Sequence, residues 1–147
     1  MNKWLMQLQE LKGKHPKALL YTMSALFPMT IMLVVWFFMG SYPFGNKSLM
    51  AVDFGQQYIS FFGLLKNAVL TGDLSSLTYS FTKSLGGDMI GVLGYYLMSP
   101  FNIFYIIIPF KHYGLAVFLT IWLRYGAIGL SFSHFLIKRY KGAESRM

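Results

Sequence analysis

The stretch ALLYTMSALFPMTIMLVVWFFM, residues 18–39, contains no charged side chain in 22 consecutive positions. An α-helix rises about 1.5 Å per residue, so about 20 apolar residues cross the ~30 Å hydrocarbon core of a bilayer. A cleavable signal peptide is the competing interpretation, but its apolar region is only about 7–15 residues long and is followed by small residues. Here the run is longer and ends at Trp36, Phe37 and Phe38. The stretch therefore predicts a retained membrane span, in which Pro28 is a tolerated kink.

A second span is predicted over residues 113–137, YGLAVFLTIWLRYGAIGLSFSHFLI. The whole chain is 55% hydrophobic and 12% charged, whereas a soluble domain carries roughly 25% charged residues. Residues 89–110 are also apolar, but Pro100 and Asn102 interrupt them and Pro109 ends them. These features predict an all-α membrane protein in which two transmembrane helices flank an outer loop.

The distribution of charge predicts the topology. The arm 1–17 has four Lys against one Glu, and the tail 138–147 has four basic residues against one Glu. The 73 residues between, 40–112, have four Lys against three Asp. Basic residues concentrate on the cytoplasmic side of membrane proteins, so both termini are predicted to be cytoplasmic. Two crossings satisfy this rule, and 89–110 is then an interfacial or re-entrant element on the outer side of the membrane.

Residues 53–70 of the outer loop have the period of an amphipathic helix. The apolar positions of this helix are Phe54, Tyr58, Phe61, Phe62, Leu65 and Val69. The polar positions are Asp53, Gln57, Ser60 and Asn67. Such a helix lies flat on a membrane surface, so the aromatic face is expected in the lipid and the polar face toward water or a cleft.

Asp53 is the first candidate for chemistry, although a structural role competes with it. Asp followed three positions later by a Gln is a pattern typical of a helix N-terminus, and residue types alone favour capping over catalysis. The two roles are compatible with each other.

The remaining polar residues of the outer loop have both structural and functional interpretations. Asp73 lies in a turn sequence and is predicted to form a cap or turn. Asp88 follows two glycines, which permit a tight turn or a substrate-touching loop equally well. Tyr95 and Tyr96 fit an interfacial aromatic belt as readily as a binding site. Ser99–Asn102 most simply ends one helix and begins another.

Arg124 lies near the centre of the second predicted span. An Arg at that depth costs about 2.5–3.5 kcal/mol on insertion scales and is usually paired or faces a cavity. A structural ion pair is one interpretation. The other is a ligand for a phosphate or lipid pyrophosphate, with Thr120 and Ser131 on the same helical face.

Several functional classes are excluded or disfavoured. The chain has no Cys, which rules out disulfides and thiolate metal sites. His15, His112 and His134 are too far apart in sequence for metal-ligand spacing. The basic residues are divided between the two ends of the chain, and no basic aromatic face is present, so nucleic acid is not an expected partner. The bilayer is the expected partner.

Three motifs occur in a characteristic order: D-F-G-Q-Q-Y-I-S-F-F at 53–62, S-L-G-G-D at 84–88 and G-Y-Y-L-M-S-P-F-N at 94–102. In this combination the chain resembles the beginning of the YfhO-type bacterial multi-pass membrane proteins, which look like glycosyltransferases of the GT-C fold. The resemblance extends from the first predicted span through the second. It implies the same arrangement as the charge count, with interfacial helices in a large outer loop.

The resemblance also implies an activity. Such enzymes take a sugar from a polyprenyl-phosphate carrier and attach it to a cell-envelope acceptor such as lipoteichoic acid. An acidic residue early in the first outer loop acts as a base or positions the acceptor, and Asp53 occupies that place. The resemblance implies a lipid-linked sugar donor, a polyprenyl-phosphate sugar; the sequence identifies no other cofactor and leaves the need for a divalent metal open. The candidate substrate-binding residues are Gln57, Tyr58, Asp88, Tyr95, Tyr96, Asn102 and Arg124.

Members of this family are several times longer than 147 residues, so the chain is expected to be an N-terminal fragment that is inactive by itself. Two other functions are compatible with the sequence. A transporter or permease would use Arg124 and the broken 89–110 segment to line a pathway. A small non-enzymatic membrane protein would instead pack against a partner.

Overall fold

The computed structural model describes residues 16–81, 83 and 86–144, with side chains from residue 17 to 140 within those ranges. Most of the basic arm, the start of the S-L-G-G-D motif and residues 145–147 lie outside the described residues. The main helices within the described ranges are α1 (Pro16–Met39), α2 (Ile59–Thr71), α3 (Ile90–Leu97), α4 (Pro100–Ile107) and α5 (Tyr113–Glu144). A two-stranded hairpin pairs β1 (Tyr79–Ser80) with β2 (Gly87–Asp88).

Two of these helices have the length and hydropathy of membrane spans. The qualifying segments are Lys17–Met39 and Phe110–Tyr140. The all-α membrane fold with two spanning helices is therefore confirmed. Helices α3 and α4 reach the same criteria only as a joined pair, and they bend by 89° at the break between them. Their interfacial or re-entrant placement remains a prediction.

The chain divides into two compact units. One comprises the segments up to Val35 and from Trp122, and the other comprises Trp36–Ile121. In the first unit, α1 and α5 pack closely at Gly129, where an added Cβ would lie 1.9 Å from the Ser24 carbonyl oxygen. Pro28 has no N–H, so it cannot form the usual helical bond to that carbonyl. Trp122 Nε1 also donates to the Met29 carbonyl oxygen at 3.1 Å.

The core of the second unit lies between α2 and α4. The ring of Phe62 stacks on the ring of Tyr105 with centroids 3.9 Å apart, and Tyr113 Oη donates to the Tyr105 carbonyl oxygen at 3.0 Å. Phe62 is only 5% exposed. The expectation that the aromatic face of this helix lies in lipid is therefore wrong for Phe62, because α4 supplies a protein surface that covers it.

The hairpin between α2 and α3 requires glycine at one position. Tyr79 pairs with Asp88 and Ser80 with Gly87. Gly86 adopts a φ of +100°, and an added Cβ would lie 2.7 Å from Tyr79 Oη. Both the backbone conformation and the close approach of Tyr79 therefore exclude larger residues. The hairpin places Met89, which is 1% exposed, in the core just before α3.

Asn102 stabilises the break between α3 and α4. Its Nδ2 donates to the Tyr96 carbonyl oxygen at 2.8 Å and to the Leu97 carbonyl oxygen at 3.0 Å. These carbonyls belong to the last turn of α3, where no further helical N–H groups follow. Pro100 begins α4, a position that proline tolerates because its missing N–H is not needed there. The prediction that one helix ends and another begins at Ser99–Asn102 is thus confirmed.

Candidate functional site

Asp53 stands immediately before a wide helical turn. Residues Phe54–Tyr58 form a π-helical turn that leads directly into α2, and π-turns are rare and frequent at functional sites. Asp53 itself has helical angles, φ −57° and ψ −29°, and forms no side-chain capping bond within the described structure. The capping role that residue types favour is therefore wrong, because a capping residue needs non-helical angles. The Asp53 side chain is exposed.

An aromatic cluster accompanies this turn. Tyr58 and Tyr96 have ring centroids 4.5 Å apart, as have Tyr95 and Tyr96. Phe61 stacks on Tyr96 at 5.9 Å, and Phe54 contacts Tyr58 edge-on at 5.7 Å. Tyr95 is 81% exposed. We call these five residues the aromatic cluster. Tyr95 and Tyr96 also lie in a π-turn, Leu93–Leu97, so two wide turns build the cluster.

The electrostatics of Tyr96 connect the cluster to Asp53. Hydrogen bonding to Tyr58 raises the pKa of Tyr96 above its usual 10.0, and desolvation and the negative charges of Tyr58 and Asp53 raise it further. Tyr96 therefore keeps its proton at physiological pH and is available as a hydrogen-bond donor. The structure thus brings together four of the predicted site residues: Asp53, Tyr58, Tyr95 and Tyr96. Gln57 is exposed on the same wide turn as Tyr58.

Two other predicted site residues form structural bonds. Asp88 Oδ1 accepts from the Ile90 N–H at 3.0 Å, and its carbonyl oxygen accepts from Lys83 Nζ at 2.6 Å. These bonds shape the entry to α3. Asn102 is 1% exposed and bonds the carbonyls of Tyr96 and Leu97. Asn102 therefore stabilises the backbone at Tyr96. To contact a ligand directly, its amide would have to break these two hydrogen bonds.

Arg124 belongs to the other compact unit and is half-buried in α5. The two hydroxyls expected to extend a polar stripe around it bond backbone carbonyls. Thr120 Oγ1 donates to the Phe101 carbonyl oxygen at 3.2 Å, and Ser131 Oγ donates to the Ile128 carbonyl oxygen at 3.0 Å. These bonds allow both hydroxyls to lie in an apolar helix without a ligand.

Lys66 is a buried polar residue that the sequence reasoning missed. It is 8% exposed, and its Nζ donates to the Ile108 carbonyl oxygen at 2.6 Å. The same ammonium lies 5.2 Å from the Phe110 ring centroid and 5.8 Å from that of Tyr113. The position of Lys66 within an otherwise apolar helical stripe is a signal that could have identified it. Its contacts tie α2 to the segment after α4.

A metal centre is not assembled by the residues that the structure describes, since no three His, Asp or Glu side chains among them are arranged to hold an ion. The arrangement instead offers a carboxylate, a phenol donor and exposed aromatic faces. A carboxylate can accept a proton from a hydroxyl group, and a phenol can donate a hydrogen bond to one.

Comparison with known proteins gives one positive result. No curated protein and no solved structure matches the chain. The family model described as bacterial membrane protein YfhO matches residues 24–147. This match contains the wide turn after Asp53, the hairpin, the broken α3–α4 pair, two thirds of α1 and all of α5. The chain therefore belongs to the YfhO family of bacterial membrane proteins.

Proposed function

We propose that this chain forms the acceptor side of a membrane glycosyltransferase. The enzyme moves a sugar from a polyprenyl-phosphate carrier to a hydroxyl of a cell-envelope polymer such as lipoteichoic acid, on the outer face of the bacterial cytoplasmic membrane. The observation that carries the proposal is the exposed carboxylate of Asp53, which directly precedes Phe54 of the aromatic cluster. Membership of the YfhO family supports a role in the membrane.

Glycosyl transfer to a hydroxyl requires a base that accepts the proton of the acceptor hydroxyl. The acceptor hydroxyl oxygen forms a bond to the anomeric carbon of the donor sugar, and the bond from that carbon to the phosphate oxygen breaks. The polyprenyl phosphate leaves with the bonding electron pair. The acceptor proton passes to the carboxylate of Asp53, which is the role of a general base.

The aromatic cluster supplies binding surface for the same step. Exposed aromatic rings present apolar faces together with polar hydroxyls, and a sugar ring has both C–H faces and hydroxyl edges. Tyr95 is the most exposed ring of the cluster and is assigned to stacking on the sugar. Tyr96 keeps its proton and is assigned to donating a hydrogen bond.

The test replaces Asp53 in the protein produced from its own gene in bacterial membranes. Transfer of radiolabelled sugar from the polyprenyl-phosphate donor to polymer is measured in membrane vesicles. We expect Asp53→Asn and Asp53→Ala to lower the rate by roughly 10²–10⁴-fold, the usual contribution of a general base. Asp53→Glu keeps a carboxylate and is expected to retain part of the rate.

The matched control is Gln56→Ala, since Gln56 is exposed on the same wide turn and has no assigned role. It should transfer sugar at the wild-type rate. Protein level and helical content are measured for every variant. Wild-type rates in both Asp53→Asn and Asp53→Ala would refute the role of Asp53 as base.

Transport is a second candidate function because of the 89° break between α3 and α4. Transporters build their substrate sites from discontinuous helices of this kind. Solute or ion flux through proteoliposomes containing the protein, together with an absence of sugar transfer, would favour transport over the glycosyltransferase.

A further inference from the structure

A polar groove of about 420 Å³ lies along one side of α2. Its volume is within the ~300–1,000 Å³ range of small-molecule sites. One wall is a face of α2 and the other is the segment 73–80 that leads into the hairpin. The polar side chains that line it are Ser60, Asn67, Thr71, Asp73, Ser76 and Ser80. We call this feature the α2 groove.

Several polar groups of the α2 groove are already engaged. Thr71 Oγ1 donates to the Asn67 carbonyl oxygen at 2.7 Å, and Ser76 Oγ donates to the Asp73 carbonyl oxygen at 2.8 Å. Ser75 Oγ donates to Asp73 Oδ1. These bonds hold the segment 73–76 in a fixed turn, so the groove wall is formed before any ligand arrives.

Two further polar groups of the lining, the side chains of Asn67 and Ser60, have unused hydrogen-bonding capacity. Within the described part of the chain, no hydrogen bond engages the side-chain amide of Asn67 or the hydroxyl of Ser60. The amide supplies two donors and one acceptor, and the hydroxyl both donates and accepts. Asp73 adds a second carboxylate oxygen as an acceptor. Alcohol groups, which donate and accept at the same oxygen, match such a mixed set.

The charge of the α2 groove narrows the ligand class. Asp73 is the one charged side chain in the described lining, so a phosphate in the groove would meet a carboxylate and no cation. Gly63, Leu64 and Ala68 supply an apolar patch between the polar groups. A neutral sugar or polyol has C–H faces that suit this patch and hydroxyls that suit the rim.

We propose that the α2 groove binds an uncharged, hydroxyl-rich segment, a sugar or polyol unit. The assignment of that segment to the acceptor rests on the proposed function; in a lipoteichoic acid the segment is the sugar or polyol unit itself, with the phosphates outside the groove. Ser60 lies seven residues after Asp53 on one continuous helical segment, or about 10 Å at ~1.5 Å per residue. A polymer bound in the groove is thus held by one unit while a neighbouring unit approaches the base.

The test measures binding by saturation-transfer NMR, with the 147-residue chain in lipid nanodiscs. The neutral probes are maltotetraose, the β-linked tetramer of N-acetylglucosamine, and ribitol. The anionic probe is a glycerol-phosphate tetramer. We expect saturable binding of at least one neutral probe and weaker binding of the anionic probe. Failure of all three neutral probes to bind, or tighter binding of the anionic one, would overturn the proposal.

Two variants locate the bound probe. Asn67→Ala removes the unengaged amide and is expected to weaken binding about tenfold, because an unpaired polar group costs ~1–3 kcal/mol and ~1.4 kcal/mol is tenfold. Leu70→Ala changes an exposed side chain of the same helix that does not line the groove, so its affinity should equal that of wild type. Equal affinities in Asn67→Ala and wild type would place the ligand elsewhere.

The binding test and the test of the base give separable results. Asp53→Asn should leave probe affinity within twofold of wild type while sugar transfer is lost. Normal sugar transfer in Asn67→Ala membranes, at limiting as well as saturating polymer, would reject the groove as an acceptor site. The proposed role of Asp53 as base would be unaffected. Wild-type sugar transfer by Asp53→Asn, with probe binding intact, would reject the role of Asp53 as base and would not affect the proposed groove.

Discussion

Asn102 and Lys66 are buried polar residues whose partners are backbone carbonyls. The Asn102 amide bonds the end of α3, and the Lys66 ammonium bonds the Ile108 carbonyl beside two aromatic rings. A buried polar group without a partner costs roughly 1–3 kcal/mol. Asn102 therefore holds the backbone of Tyr96 in the aromatic cluster, and Lys66 holds the segment after α4 against α2.

Arg124 is the residue for which we predict a role in donor binding. We assign it to a phosphate of the lipid-linked donor, because an Arg at mid-span is usually a functional group and binds phosphate at two points. Arg124→Lys keeps the charge but loses the planar fork, so donor affinity should fall more than stability does. Arg124→Leu should lower donor affinity by about tenfold or more, as expected for a charge-assisted hydrogen bond worth ~1.5–3 kcal/mol.

The measurement is donor affinity and thermal unfolding in lipid nanodiscs. Arg139→Leu, which removes an exposed charge near the end of α5, serves as the control and should bind donor normally. Unchanged donor affinity in Arg124→Leu, together with lowered stability, would leave a purely structural role for Arg124.

At the scale of helices, the contact between α1 and α5 depends on Gly129. A Cβ at this position would lie 1.9 Å from the Ser24 carbonyl oxygen and 3.2 Å from the Pro28 ring. The obstacle includes backbone, so a larger residue must push the helices apart. Small residues at such contacts are what allow transmembrane helices to pack closely.

We expect Gly129→Val to destabilise the chain by at least about 1–3 kcal/mol, the usual cost of overpacking. The readout is thermal unfolding in detergent, followed by the near-ultraviolet circular dichroism of the tryptophans, of which Trp122 lies in α5 and bonds α1. Gly91→Ala is the control, since nothing lies within 4 Å of a Cβ there and alanine is the better helix former. A Gly129→Val protein as stable as wild type would show that α1 and α5 do not pack at this point.

At the scale of the whole molecule, the number of crossings decides on which side each segment lies. With two crossings, residues 40–112 are outside and both ends are cytoplasmic. If the α3–α4 pair crosses as a third span, the C-terminal tail is outside. The chain has no native Cys, so single cysteines report the topology without background.

We expect an impermeant maleimide to label Ser48→Cys and Leu74→Cys in intact cells, because both positions are exposed in the outer segment. Ser145→Cys, in the basic tail, should be labelled only after permeabilisation. Labelling of Ser145→Cys in intact cells would support three crossings, and protection of both Ser48→Cys and Leu74→Cys would reject an outer loop.

The sequence by itself determined the class of the molecule and its main elements. Long apolar runs identify the spanning helices, because insertion into a bilayer depends on apolar length regardless of what the helix packs against. Pro100 and Asn102 marked the break between α3 and α4, since proline and its neighbours restrict the backbone locally. The ordered motifs of the outer loop indicated the YfhO family, which the family match confirms.

Only the tertiary structure decided how the polar side chains of the outer loop are used. Asp53, just before the wide turn at Phe54–Tyr58, has helical backbone angles and does not cap a helix. Phe62, which sequence periodicity had assigned to lipid, stacks on Tyr105 of α4. Lys66 and Ile108 lie 42 positions apart along the chain. Local propensity carries no information about such a pairing, because a partner at that separation is fixed by the packing of whole helices, which a one-dimensional pattern does not specify.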